Sequence, residues 1–144
     1  MQLGVGTGVI TRELLRRMRL DARLISVEVN PVFVAVGRRI RDPRLTVRHD
    51  CAGSLRTILQ ELAVREIDYV VSSLPLAMMD DELVDRILEV THGSLAADGM
   101  FLQYQYSLKH RAALERRYRD VRLSFTLRNL PPAFVYSCSR AVAD

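Results

Sequence analysis

The sequence predicts an α/β protein built on a mostly parallel sheet, and two patterns carry this prediction. Short apolar runs alternate with amphipathic helical segments, as in chains whose parallel strands are joined by helical crossovers. A glycine-rich turn at residues 4–8 opens the first helical segment. The chain has 144 residues, the length of a single domain, which we expect to span 1–144.

Four short apolar runs predict buried strands at residues 24–27, 45–47, 67–71 and 100–102. Between them, apolar residues recur at helical spacing. Asn30 followed by Pro31 predicts a helix start, because a capping side chain precedes a proline in the first turn. The predicted apolar helix faces comprise Ile10, Leu14 and Met18 in one segment and Leu55, Ile58, Leu59 and Leu62 in another.

The two ends of the chain depart from this alternation. Residues 121–127 and 133–138 predict two strands joined by residues 129–132, a connection too short for a helix, so these strands should be antiparallel. At the other end, only residues 1–3 precede the glycine turn, where a central strand usually has about five residues. We therefore expect a shortened first strand, an N-terminal truncation, and a homo-oligomer formed through the exposed face.

Composition limits the classes of partner. The net charge of +4 rests largely on clustered arginines, which indicate either an anionic surface as partner or solvated helix faces. Cys51 and Cys138 lie too far apart for zinc-type spacing, so we expect free thiols and no metal. Apolar runs approaching the ~18 residues of a membrane span are absent from the sequence, and we expect a cytoplasmic location.

The glycine turn and one acidic residue predict a ligand site. Gly4, Gly6 and Gly8 give the spacing GxGxG, which lets a ligand approach the backbone at a helix N-terminus. Val9 stands where the dinucleotide fingerprint would need glycine. Glu28 ends the second strand, 22 residues after Gly6, where a carboxylate accepts hydrogen bonds from the ribose hydroxyls of an adenosyl ligand.

Two further strand ends belong to the same predicted crevice. Asp50 follows the third strand and is either an acceptor for an adenine amino group or a turn aspartate. Residues 72–76, Ser-Ser-Leu-Pro-Leu, end the fourth strand at the point where ligands bind in doubly wound sheets. Pro75 would stiffen the loop facing the reacting group, or it simply ends the strand.

These segments together resemble the bacterial phospholipid N-methyltransferases, class I enzymes close to the ribosomal RNA adenine dimethylases. The resemblance rests on GVGTGVITREL, LISVEVNPVF, RLTVRHDCA, DYVVSSLPL, QYQYS and LRNLPPAFVYSC, and covers essentially the whole chain. It implies a Rossmann-like class I methyltransferase fold, with a mostly parallel seven-stranded sheet in the order 3-2-1-4-5-7-6 and a C-terminal antiparallel hairpin. Gln2 departs from the family, which usually has an acidic residue at this position.

The resemblance also implies a function. The expected activity is S-adenosylmethionine-dependent N-methylation of phosphatidylethanolamine by a protein peripheral to an anionic membrane surface. Two alternatives stay open: an rRNA adenine N6-methyltransferase, and a cofactor-binding core without turnover. Leu76 stands where the RNA enzymes place an aromatic residue that stacks on a flipped base, which disfavours RNA. The expected cofactor-binding residues are Gly4, Gly6, Thr7, Gly8, Glu28, Val29, Asp50, Cys51 and Ser73.

Residues for the substrate are expected at the ends of later strands. Tyr106 is the candidate catalytic acceptor for the amine, together with Pro75, and each has a structural alternative as a packed or loop residue. Tyr104 is a candidate substrate contact. Arg128 is a second one, because its guanidinium could pair with a lipid phosphate.

Overall fold

The computed structural model describes residues 1–126 and 133–140. Its strands are hydrogen-bonded in the order β3-β2-β1-β4-β5-β7-β6, a mixed seven-stranded sheet that confirms the predicted order. The chain divides into two compact units, Met1–Ala52 and Gly53–Asp144, which are described in turn. None of the helices in the described ranges is long and apolar enough to cross a membrane.

The first unit contains three parallel strands and two helices. Its elements are β1 (Gln2–Leu3), α1 (Val9–Arg17), β2 (Leu24–Glu28), α2 (Pro31–Arg38) and β3 (Leu45–His49). β2 pairs with β1 on one side and with β3 on the other, so β2 is buried along most of its length. β3 is only half-buried, because it is an edge strand of the sheet and has one neighbour. This observation corrects the prediction of a buried strand at 45–47.

The two helices of this unit begin differently. Asn30 caps α2 as predicted: its side-chain oxygen accepts a hydrogen bond from the Val32 amide at 2.9 Å, with Pro31 in the first turn. α1 begins after Gly8, which has a left-handed φ of 77°. The predicted apolar face of α1 is wrong by one position, because Thr11 and Leu15 are its buried residues, whereas Ile10, Leu14 and Met18 are half-buried.

Within its described residues, the second unit contains four strands and three α-helices. Its elements are α3 (Leu55–Glu61), β4 (Ile67–Ser72), α4 (Asp81–Ser94), β5 (Leu95–Gln105), α5 (Arg111–Arg117), β6 (Asp120–Thr126) and β7 (Ala133–Ser139). β4 and β5 are parallel, whereas β7 is antiparallel to both β5 and β6, which confirms the C-terminal hairpin. Residues 129–132, predicted to connect β6 to β7, lie outside the described residues.

β5 is longer than the apolar run at 100–102 predicts. It begins at Leu95, and its pairing with β4 shifts register between the partners of Ile67 and Tyr69. Gly99 lies in this irregular stretch, where an added Cβ would come within 2.9 Å of the Ala96 carbonyl oxygen. The apolar run identifies only the middle of β5, because Asp98 and Gly99 separate it from the beginning of the strand at Leu95.

Candidate active site

The glycine turn is built from left-handed backbone. Gly4, Gly6 and Gly8 have φ values of 87°, 52° and 77°, a region that L-residues with a Cβ rarely adopt. At Gly6 an added Cβ would meet no atom within 4 Å, so the space on this side of the turn is open. The turn leads directly into the N-terminus of α1, whose first amides lack partners within the helix. The geometry therefore suits an anionic or polar ligand held against the backbone.

Glu28 organises this turn from the end of β2. One carboxylate oxygen, Oε2, accepts hydrogen bonds from the amides of Val5 at 2.9 Å and Gly6 at 3.2 Å. The other, Oε1, accepts from the Asn30 amide at 2.8 Å. A carboxylate offers about four lone-pair positions, so one remains for a ligand hydroxyl. Glu28 thus links the glycine turn to the end of β2, a role that its spacing did not reveal.

Gln2 is the centre of a buried polar network beneath the turn. Its side-chain oxygen accepts from the hydroxyls of Thr11 at 2.8 Å and Ser26 at 2.9 Å, and its side-chain nitrogen donates to the Gly4 carbonyl at 2.9 Å. Gln2 is 1% exposed. At Gln2, where relatives were expected to carry an acidic residue, this chain has an amide whose donor and acceptor both hold the turn. Sequence reasoning noted the departure at Gln2 and missed this role.

The predicted adenine-side residues lie together at the ends of β2 and β3. The Asp50 amide donates to the Glu28 carbonyl at 3.1 Å, and an oxygen of the Asp50 carboxylate accepts from the Cys51 amide at 2.7 Å. Val29 is 59% exposed, which leaves an apolar side chain open to a ring. His49 Nε2 donates to the Val29 carbonyl at 3.0 Å and so fixes the backbone there. Thr7 is exposed within the turn.

A cavity of about 250 Å³ in the first unit lies between the end of α1 and the stretch leading into β3. Arg44 donates two hydrogen bonds to the Asp42 carboxylate, at 3.0 and 2.7 Å, and thereby lowers the pKa of Asp42 to about 2. The same guanidinium donates to the carbonyls of Leu15, Met18 and Arg19 and so caps the C-terminus of α1. Arg44 is thus a structural cap of the helix.

Several of the clustered arginines form surface ion pairs. Arg16 and Arg17 pair with Glu13, Arg19 pairs with Asp21, and Arg117 pairs with Asp85. Such exposed pairs each contribute little to stability. For these residues the structure favours solvated helix faces over a dedicated anion site.

In the second unit, two buried side chains hold the loop after β4. Gln103 Nε2 donates to the Leu74 carbonyl at 3.0 Å and to the Tyr104 carbonyl at 2.9 Å. His110 Nε2 donates to the Leu76 carbonyl at 2.9 Å. Pro75, between these two anchored carbonyls, is exposed. The loop is therefore fixed from β5 and from the start of α5, by residues that the sequence did not single out.

Tyr104 and Tyr106 form a pair at the end of β5. The Tyr104 hydroxyl donates to the Tyr106 hydroxyl at 2.8 Å, and the two ring planes meet at 78° with centroids 5.4 Å apart. Tyr106 is 57% exposed. Ser73 lies half-buried after β4. Arg128, the predicted phosphate contact, lies outside the described residues.

Within residues 1–126 and 133–140, no group of three or more His, Cys, Asp or Glu side chains is arranged to hold a metal ion. The strand order, the left-handed glycine turn and the acidic residue ending β2 are the features expected of the class I methyltransferases that the sequence resembles.

Comparisons with known proteins agree with this class. No family model matches the chain. It is 32% identical over 141 residues to ornithine lipid N-methyltransferase from Singulisphaera acidiphila, covering 96% of this chain and 73% of that protein. The chain therefore belongs to the family of S-adenosylmethionine-dependent methyltransferases that includes ornithine lipid N-methyltransferase.

The name of a second curated relative indicates that this relative acts on RNA. The chain is 29% identical over 127 residues to ribosomal RNA small subunit methyltransferase H from Nitrosomonas europaea, covering 78% of this chain. It spans only 40% of that protein's length. Because the chain covers less than half of that protein, this likeness assigns no substrate to the chain.

Solved structures share the fold at low identity. N-methyltransferase NodS from Bradyrhizobium japonicum superposes with a TM-score of 0.76 at 11% identity, covering 98% of this chain and 84% of that one. The 16S rRNA N2 G1207 methyltransferase RsmC from T. thermophilus, solved with AdoMet and guanosine, gives 0.68 at 16% identity, covering 96% and 37%. Both confirm the predicted fold.

Proposed function

We propose that this protein methylates the primary amino group of a membrane lipid, with S-adenosylmethionine as the methyl donor. The observation that carries the proposal is the 32% identity to ornithine lipid N-methyltransferase over 96% of the chain. Phosphatidylethanolamine, the substrate implied by the sequence, and ornithine lipid share one reacting group, a primary amine. We therefore assign a primary amine of a lipid as the methyl acceptor.

The first unit fits the cofactor. The open side of Gly6 accommodates the methionine part of the ligand against Gly4, Thr7 and Gly8, because no side chain fills this space. Glu28 has one acceptor position left for a ribose hydroxyl. The exposed side chain of Val29 would pack on the adenine. Asp50 and Cys51 would border its amino group, and the contact expected of Ser73 stays a prediction.

The second unit would receive the amine. When bound, S-adenosylmethionine supplies an activated methyl group, so the protein's main task is to align the nucleophile. The Tyr106 oxygen accepts one hydrogen bond from Tyr104 and retains capacity to accept another from an amine N–H. That contact would direct the nitrogen lone pair. Pro75, held by the anchored carbonyls of Leu74 and Leu76, would form a rigid wall beside it.

RNA is the second candidate substrate, favoured by the rRNA methyltransferase relative. Enzymes that methylate a flipped base use an aromatic side chain to stack on it. Leu76 stands at that place here and is fully buried, so its side chain is not presented to a base. This burial ranks RNA below a lipid amine.

Transfer of a radiolabelled methyl group separates the candidates. We expect labelling of vesicles that contain phosphatidylethanolamine or ornithine lipid and no labelling of ribosomal RNA. The two lipid arms identify which amine is used, and phosphatidylcholine vesicles, which lack an N–H, are the control. Preferential labelling of RNA would select the second candidate. No labelling of any substrate, with S-adenosylhomocysteine still bound, would indicate a cofactor-binding core without turnover.

Thiol labelling tests the adenine side of the cofactor site. Burial raises the pKa of the Cys138 thiol to about 12, so this thiol stays protonated and unreactive at pH 8. Cys51 is half-buried and should react. We expect one thiol to be alkylated in the native protein and S-adenosylhomocysteine to slow that reaction at least tenfold. Unchanged labelling at saturating ligand would remove Cys51 from the site, and a Cys138→Ser variant serves as the matched control.

A further inference from the structure

The tyrosine pair at the end of β5, Tyr104 and Tyr106, offers two aromatic rings in addition to a hydroxyl acceptor. At the end of β5 the burial alternates: Gln103 and Gln105 are buried, Tyr104 is half-buried, and Tyr106, the residue after the strand, is exposed. The two rings are nearly perpendicular, and their hydroxyls are hydrogen-bonded to each other. The exposed ring of Tyr106 is therefore oriented by its contact with Tyr104.

The pair lies beside the loop that follows β4. One side-chain nitrogen, Gln103 Nε2, donates to the carbonyls of both Tyr104 and Leu74. Gln103 is fully buried, so this link is rigid and protected from water. The tyrosine pair and the loop around Pro75 are therefore kept at a fixed separation.

The carboxylates that begin α4, after this loop, are already engaged. Asp80 accepts hydrogen bonds from the amides of Glu82 and Leu83 as the N-cap of α4. Asp81 pairs with Lys109 at 2.8 Å. Both carboxylates therefore already have partners, whereas the exposed ring of Tyr106 offers aromatic surface to a cation. Ring faces attract ammonium groups, and methylated ammonium groups most characteristically.

We propose that Tyr104 and Tyr106 bind the methylated ammonium group of the lipid and so promote successive methylations. The inference rests on the proposed function. In each transfer the nitrogen lone pair forms the new N–C bond and the electrons of the C–S bond go to sulfur. The resulting ammonium group must lose one proton to solvent before the nitrogen can react again. The trimethylated product has no N–H to donate to Tyr106, so only the ring surface still recognises it.

Choline binding tests the site without cofactor or lipid. Choline is titrated into the full chain and followed by NMR of the tyrosine ring signals, with 3,3-dimethylbutan-1-ol as the neutral isostere. We expect choline to bind at least fivefold more tightly than the alcohol. Tyr106→Leu should weaken choline binding at least fivefold, whereas Tyr106→Phe, which keeps the ring, should retain it. Tyr69→Leu is the matched control, because Tyr69 is also 57% exposed but lies on β4.

Product analysis then separates this proposal from the proposed function. We expect Tyr106→Phe to slow the first methylation while still yielding trimethylated lipid, and Tyr106→Leu to release mainly the monomethyl product. Equal binding of choline and the alcohol, or choline binding unaffected by Tyr106→Leu, would overturn the methylammonium site even if the lipid is methylated. Ring-dependent choline binding without any lipid methylation would instead support the site and contradict the assigned substrate.

Discussion

Replacement of Glu28 by alanine is expected to raise the dissociation constant of S-adenosylhomocysteine by a factor of roughly 5 to 150, corresponding to about 1–3 kcal/mol. The carboxylate accepts from the amides of Val5, Gly6 and Asn30. Its removal would leave these donors without their partner and would remove one of the links between the glycine turn and β2, whereas the bond from the Gly4 amide to the Val27 carbonyl would stay. A direct ribose contact and the ordering of the turn would therefore be lost together.

Calorimetry on the folded variant measures this effect, and circular dichroism establishes that it is folded. Glu66→Ala is the matched control, because Glu66 is an exposed carboxylate in the stretch before β4. Glu28→Gln should give an intermediate loss, since an amide keeps one acceptor oxygen. An unchanged affinity in folded Glu28→Ala would remove Glu28 from the cofactor site.

Replacement of Gln2 by leucine is expected to lower the free energy of unfolding by about 2–3 kcal/mol. The substitution leaves the hydroxyls of Thr11 and Ser26 and the carbonyl of Gly4 buried without the side chain that now pairs with all three. Unsatisfied buried polar groups carry most of that cost. Because Gly4 belongs to the turn, affinity for S-adenosylhomocysteine should fall as well.

Denaturant unfolding measures the loss, with Gln60→Leu, an exposed glutamine on α3, as the matched control. The triple variant Gln2→Leu, Thr11→Val, Ser26→Ala provides the decisive comparison. Replacing polar partners together by apolar groups of similar shape is often nearly neutral, so the triple variant should recover part of the stability. Recovery is expected to be partial because the Gly4 carbonyl still lacks the Gln2 donor. A triple variant less stable than Gln2→Leu alone would show that packing, and not the hydrogen bonds, dominates at Gln2.

Local patterns accounted for the parts of the fold in which neighbouring residues decide the structure. Asn30 and Pro31 start α2 through a bond that spans two residues, so the sequence alone predicts it. The glycines at 4, 6 and 8 take positive φ values, which a turn without side chains allows. The short connection after β6 required an antiparallel partner, and the structure shows β6 and β7 paired in that way.

The register of the strands determined side-chain contacts that the local patterns could not predict. Gln2 lies opposite Ser26 in the pairing of β1 with β2, and only this register brings their side chains together. Thr11 completes the network, so α1 buries Thr11 where the apolar pattern alone favoured Ile10. A buried polar group must have a hydrogen-bond partner. This requirement outweighed the apolar burial that the pattern predicted, so the buried face of α1 is displaced by one residue.

The predicted site shows the same division. Glu28 was identified by its spacing from Gly6, because consecutive parallel strands bring their carboxyl ends to one edge of a sheet. Gln103 and His110 were not identified from the sequence. Their partners are the carbonyls of Leu74 and Leu76, which are 29 and 34 residues away, and a backbone carbonyl leaves no pattern in the sequence. The sequence thus determined the class of enzyme and the residues at the strand ends. The tertiary structure alone decided which buried side chains hold the glycine turn and the loop after β4, because backbone acceptors become specific only when folding brings a donor to them.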